Sequence, residues 1–141
     1  MGLELTLHAA ATWYMVGLIW LIQAVHYPMF QFLDRAGFKS SHTFHSTRIT
    51  FVVMPAMLLE LVLSAVVLWK RGPLNAPALA GFGLVVLIWV TTFFVLAPLH
   101  ERLQTEGFQP RVHEALCRWN WLRTLAWSAR GVIVALWIPA G

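Results

Sequence analysis

The chain alternates long apolar runs with short polar breaks. Four runs, at residues 9–27, 49–69, 76–99 and 119–138, are each close to the length a helix needs to cross a bilayer. The break KRGPLNAP, residues 70–77, combines Gly and Pro into a tight turn. The break HERLQTEGFQPRV, residues 100–112, carries Pro110, which suits the first turn of a helix and starts the last helix ahead of its apolar run. Ser40 or Ser41 is placed to cap an upstream extension of the second helix. No internal repeat or low-complexity tract interrupts the pattern. It predicts an all-α integral membrane protein: one four-transmembrane-helix bundle over residues 1–141, in contact with the lipid bilayer.

Composition agrees, with 59% hydrophobic and only 11% charged residues, where soluble domains carry about 25% charged residues. The leader MGLELTLH has no Lys or Arg, so the first run reads as a retained helix rather than a cleaved signal. Four spans put both termini on one side. The opposite side then carries Arg35, Lys39, Arg48, Arg102, Arg111, Arg118 and Arg123, against Lys70 and Arg71 on the terminal side. By the positive-inside rule the termini are non-cytoplasmic, and the expected location is a bacterial inner membrane. The net charge of +4 reflects this asymmetry. The cations form no stripe between aromatic platforms, so no nucleic-acid partner is expected. The single cysteine, Cys117, rules out an intrachain disulfide and a CxxC site.

Five of the six histidines fall at the cytoplasmic end of the predicted bundle: His26, His42, His45, His100 and His113. Each helix contributes at least one. Imidazole is the commonest metal ligand, and bundles build metal sites from facing helices. His26, His45 and His100 form the expected ligand set for a transition metal (iron, copper or zinc), with His42 and His113 in reserve. His42 and His45, three residues apart, share a helix face if the second helix reaches back to them. The ordinary alternative is a set of interfacial histidines facing headgroups. On the last helix His113, Cys117, Asn120 and Thr124 fall on one stripe that would line a cavity or simply pack a neighbouring helix.

Glu60 lies about eleven residues into the second span and Arg130 about twelve into the fourth. Both helices run the same way, so the two groups share a depth at about 1.5 Å per residue. An unpaired charge there is costly, and a buried ion pair follows. The same rise separates Glu60 from His45 by roughly 20 Å, so they belong to different sites. Gln23 is expected to hydrogen-bond a neighbour.

The blocks RITFVVMPAMLLEL, VTTFFVLAPLHERL and RWNWLRTLAWSAR resemble those of the anthrone-oxygenase-like membrane family, which is largely of unknown function. The resemblance runs from Arg48 to Arg130 and implies four helices. Pro98, Leu99, Trp119, Asn120, Arg123 and Thr124 match the family blocks by position. His100 replaces the usual Asn, and AVHYPMFQF and HTFH depart from typical members. These departures weaken the transfer of anthrone oxidation and favour a metal-using variant.

The expected function is a metal-dependent oxidoreductase or oxygenase acting on a hydrophobic small molecule. Asn120 and Arg123 would orient its polar end. Arg48 would assist with an anionic group or act only as a positive-inside anchor. Two alternatives stand: a small b-type haem protein with His26 and His100 as axial ligands, and an ion carrier or accessory subunit. The last of these would call for a homo-oligomer.

Overall fold

The computed structural model describes residues 2–137 and is helical almost throughout, with no strand among the described residues. Four helical rods follow one another: α1 (Leu3–Phe32), α2 (Phe38–Arg71), α3 (Ala76–Glu106) and α4 (Pro110–Trp137). All are longer than the apolar runs that predicted them. α2 continues unbroken through His42 and His45, but its cap is Gly37, not Ser40 or Ser41. The Asp34 carboxylate accepts the Gly37 N–H at 3.1 Å and tightens the entry. Asn75 caps α3 by accepting the Ala78 N–H at 3.1 Å. Gly72 and Gly107 end α2 and α3 with φ of 83° and 87°, a region that disfavours any side chain. The end of the fourth apolar run, Ile138, lies outside the described residues.

Three of the four expected spans are carried by the described residues. Among the described residues, α1, α2 and α3 are the helices both long and apolar enough to cross a membrane. α4 has the length but carries Arg111, Glu114, Arg118, Arg123 and Arg130. Arg123 and Arg130 are buried, together with Asn120, Thr124 and Trp127. The outer face of α4 is nevertheless apolar, with Trp119, Trp121, Leu125, Val132 and Leu136 exposed. Phe51, Leu58, Val62, Val86, Val90 and Phe94 are exposed. A surface this apolar is suited to lipid contact.

α1 and α3 each contain a π-helical turn, Ile22–His26 and Thr92–Leu96. Each lies just before a proline, Pro28 or Pro98. Proline lacks an N–H, and its ring crowds the carbonyl four residues back, so the ladder shifts to a wider pairing. The extra residue rotates everything beyond it by about 100° relative to an uninterrupted helix. Tyr27 and His100 lie directly downstream. Pro55, by contrast, is absorbed within α-helical α2.

The expected mid-bundle pair forms. Arg130 Nη2 lies 3.2 Å from Glu60 Oε1, with the side chains 1% and 2% exposed. Trp127 Nε1 donates to Glu60 Oε2 at 2.7 Å. Arg130 Nη2 also donates to Ser64 Oγ at 3.1 Å and contacts His8 Nε2 at 3.3 Å, while Nη1 donates to the Gly81 carbonyl. One cation thus ties all four helices together. The sequence pattern pointed to the pair but not to His8, which joins it from the opposite end of α1.

α1 and α4 approach closely at Gly131, where an added Cβ would lie 3.2 Å from Val16 Cγ2 and 3.5 Å from the Trp13 ring. Gly131→Leu is expected to cost about 1–3 kcal/mol by overpacking. Gly83→Leu, at a site with nothing within 4 Å of such a Cβ, should change little. Denaturant unfolding in detergent compares the two.

Candidate functional site: paired histidines beside a lateral cavity

All five histidines of the predicted cluster meet at one end of the bundle, around Phe30. The Phe30 ring centroid lies 4.9 Å from His42, 5.0 Å from His45 and 6.4 Å from His113. The rings associate two by two. His26 and His45 pack edge to face at 5.5 Å, and His42 and His100 lie 5.1 Å apart. The trio His26, His45 and His100 is therefore not assembled as one ligand set. His100 instead turns its two nitrogens to His42 and Tyr27. Among the described residues, no three His, Cys, Asp or Glu side chains form a group suited to holding a metal ion. His26 Nδ1 and His45 Nε2 are nevertheless buried and without hydrogen-bond partners. Two free imidazole nitrogens in neighbouring rings are a donor set that a transition metal fits.

The second pair belongs to a hydrogen-bonded chain. The Tyr27 hydroxyl lies 2.9 Å from His100 Nε2, His100 Nδ1 lies 3.3 Å from His42 Nε2, and His42 Nδ1 lies 3.4 Å from Ser46 Oγ. One tautomer set satisfies every link. Tyr27 donates to His100, His100 to His42, and His42 to Ser46. Reversing every donor gives an equally consistent set, so a proton taken up at one end can be delivered at the other. His42 is fully buried, which shields the middle of the chain from water.

Both ends of this chain lie on the wall of a cavity of about 300 Å³. Its polar wall includes Tyr27, Ser46, His100 and Arg123, and its apolar wall includes Val53 and Leu96. Thr50, Phe93, Ala97 and Glu101 also line it and are exposed. The mouth therefore lies between α2 and α3, on the bundle's outer face. The π turn of α3 contributes Thr92, Phe93 and Leu96 to this wall, and that of α1 contributes Ile22.

Arg123 is held from behind. Its Nη1 donates to Asn120 Oδ1 at 3.2 Å, and Asn120 Nδ2 donates to Gln23 Oε1 at 2.9 Å. Thr124 Oγ1 reaches the same Gln23 oxygen at 3.5 Å, and Gln23 Nε2 donates to the Cys117 carbonyl at 3.3 Å. The guanidinium carbon lies 5.1 Å from the centroid of the Trp127 ring. Of the α4 stripe, Asn120 and Thr124 thus serve as scaffold and do not line the cavity. His113 is placed by its Nε2 contact, 2.6 Å, with the Tyr27 carbonyl. Cys117 lies 3.5 Å from His113 Nε2 and borders a separate open groove. Arg48 is exposed and packs over Phe44, with its guanidinium carbon 5.4 Å from the ring, away from the cavity. Of the two roles expected for Arg48, this position suits the anchor rather than a group at the site.

Tyr27 and Ser46 are the functional candidates that sequence reasoning missed. For Tyr27 the available signal was Pro28 inside a long apolar run, which marks the π turn. Ser46 stands four residues after His42, on the same face. No protein-family model, curated protein or solved structure matches this chain.

Proposed function

We propose that this protein is a membrane-embedded enzyme that moves a proton at the polar end of a hydrophobic molecule. The substrate enters sideways, between α2 and α3. The observation that carries this reading is the Tyr27–His100–His42–Ser46 chain, which begins and ends on the cavity wall. Tyr27 and His100 act as the general acid–base pair, His42 stores or passes the proton, and Arg123 orients the reacting head. Buried groups that exchange protons with a bound ligand suit general acid–base catalysis. The four-span topology belongs to this proposal. α4 crosses with Arg123 and Arg130 turned inward, and the histidine end faces the cytoplasm of a bacterial inner membrane. The anthrone-oxygenase-like blocks agree with it, since they hold Asn120, Arg123 and Thr124.

A metal-dependent oxidoreductase is the second reading, favoured by the orphaned His26 Nδ1 and His45 Nε2. Those two nitrogens would hold the metal, which would supply redox or Lewis-acid chemistry beside the cavity. Elemental analysis and an optical spectrum of the purified protein test this. The expected result is substoichiometric or full occupancy that His26→Ala and His45→Ala each abolish. Occupancy indifferent to both variants counts against it, and a Soret band would point to the haem alternative.

The enzyme reading is tested by incubating proteoliposomes with hydrophobic extracts of the source membranes and following every species by mass spectrometry. A species consumed by the native protein and spared by Tyr27→Phe supports it. Identical extracts from both proteins overturn it.

A further inference from the structure

α4 carries two buried arginines seven residues apart, and they are treated differently. Arg130 has the Glu60 carboxylate at 3.2 Å. Arg123 is 5% exposed and, among the described residues, has no carboxylate within 4.0 Å. Its polar surroundings are neutral: Asn120 Oδ1 accepts from Nη1, the Tyr27 hydroxyl stands beside the guanidinium, and the Trp127 ring lies at 5.1 Å. Arg123 Nε is buried with no hydrogen-bond partner. An arginine stays protonated in a protein, so the charge cannot be shed. A buried cation without a counter-ion is costly, and an anion in the adjoining cavity removes most of that cost.

Resting on the cavity reading above, we propose that the occupant is a single-chain amphiphile with a carboxylate head, and that Arg123 is the counter-ion of that carboxylate. The cavity has the matching division of surfaces. Arg123, Tyr27 and His100 gather on one part of the wall, while Ile49, Val53, Met54 and Leu96 line the rest. A planar carboxylate suits the guanidinium fork. Charge count favours a monoanion, since Arg123 is the only Lys or Arg among the residues lining this cavity. Glu101 also lines it, but it is exposed at the rim and, among the described residues, makes no salt bridge with Arg123. A cavity of about 300 Å³ suits one acyl chain better than the paired chains of a phospholipid.

The test uses the full chain in a neutral detergent, with dodecanoate, dodecanol, acetate and dioleoylphosphatidylglycerol as probes, read by native mass spectrometry. Dodecanoate is expected to bind once per chain, about ten- to hundred-fold more tightly than dodecanol. Arg123→Gln should erase that preference, and Arg123→Lys should keep part of it. A melting curve for each variant separates lost binding from lost folding. Because the dodecanoate–dodecanol comparison is made on the native protein, it stands even if both variants fail to fold. Equal binding of acid and alcohol overturns the proposal. So does displacement of dodecanoate by acetate at equal concentration, which would mark a site for any free anion. Preferential binding of the phospholipid overturns it as well. Binding is read without turnover, so its failure leaves the Tyr27-dependent chemistry standing. Conversely, an inactive protein that still prefers dodecanoate retains the carboxylate site alone.

Discussion

Glu60→Leu alone is expected to destabilise the bundle by about 3–5 kcal/mol, because it leaves Arg130 charged and buried without its carboxylate. The double variant Glu60→Leu with Arg130→Leu should recover much of that loss. An ion pair in an apolar interior gains Coulomb energy but sacrifices the hydration of both charges, so an apolar replacement of the whole pair comes close to neutral. Arg130→Leu alone is less costly than Glu60→Leu only to the extent that Trp127 Nε1, which donates to Glu60 Oε2 at 2.7 Å, supports the remaining carboxylate. The measurement is a double-mutant cycle on reversible unfolding in detergent. A coupling close to zero would make the pair incidental. A double variant as weak as the worse single variant would place the stabilisation elsewhere, in the contacts of Arg130 with Ser64, His8 and the Gly81 carbonyl.

That pair was legible from sequence because only depth along parallel-running helices had to be known. Glu60 and Arg130 stand at matched distances from the ends of α2 and α4, and a mid-bundle charge has few alternatives to a partner. The gathering of His26, His42, His45, His100 and His113 at one end was legible for the same reason. Which ring meets which was not. Depth arithmetic fixes position along a helix axis but not rotation about it, and rotation is what the π turns at Ile22–His26 and Thr92–Leu96 change. With an extra residue in each turn, His100 reaches Tyr27 and His42, while His26 faces His45. A uniform α-helical reading groups His26, His45 and His100 by depth alone, whereas the rings associate as His26 with His45 and His42 with His100. On α4 the two interior arginines were not equally legible. Arg130 was placed inside the bundle by its depth, whereas Arg123 was counted among the interfacial cations and is an interior group.

Tyr27→Phe and His100→Phe are expected to lower turnover by about 10²–10⁴-fold, the usual worth of a positioned acid or base, with little loss of dodecanoate binding. Tyr27→Phe removes one hydroxyl from a residue whose ring stays packed against Phe30 at 5.7 Å, so the fold has no reason to change. If the four groups work as one relay, the double variant should be scarcely slower than either single one, since breaking a relay twice costs no more than breaking it once. Multiplying losses would instead assign Tyr27 and His100 to separate steps. His42→Phe provides the further distinction. His42 is fully buried and does not line the cavity, so it can influence turnover only through His100 or Ser46. A loss of turnover in His42→Phe with substrate affinity unchanged would make it a positioning and relay residue. Full activity in that variant would confine the chemistry to Tyr27 and His100 and would leave Ser46 as a wall residue only.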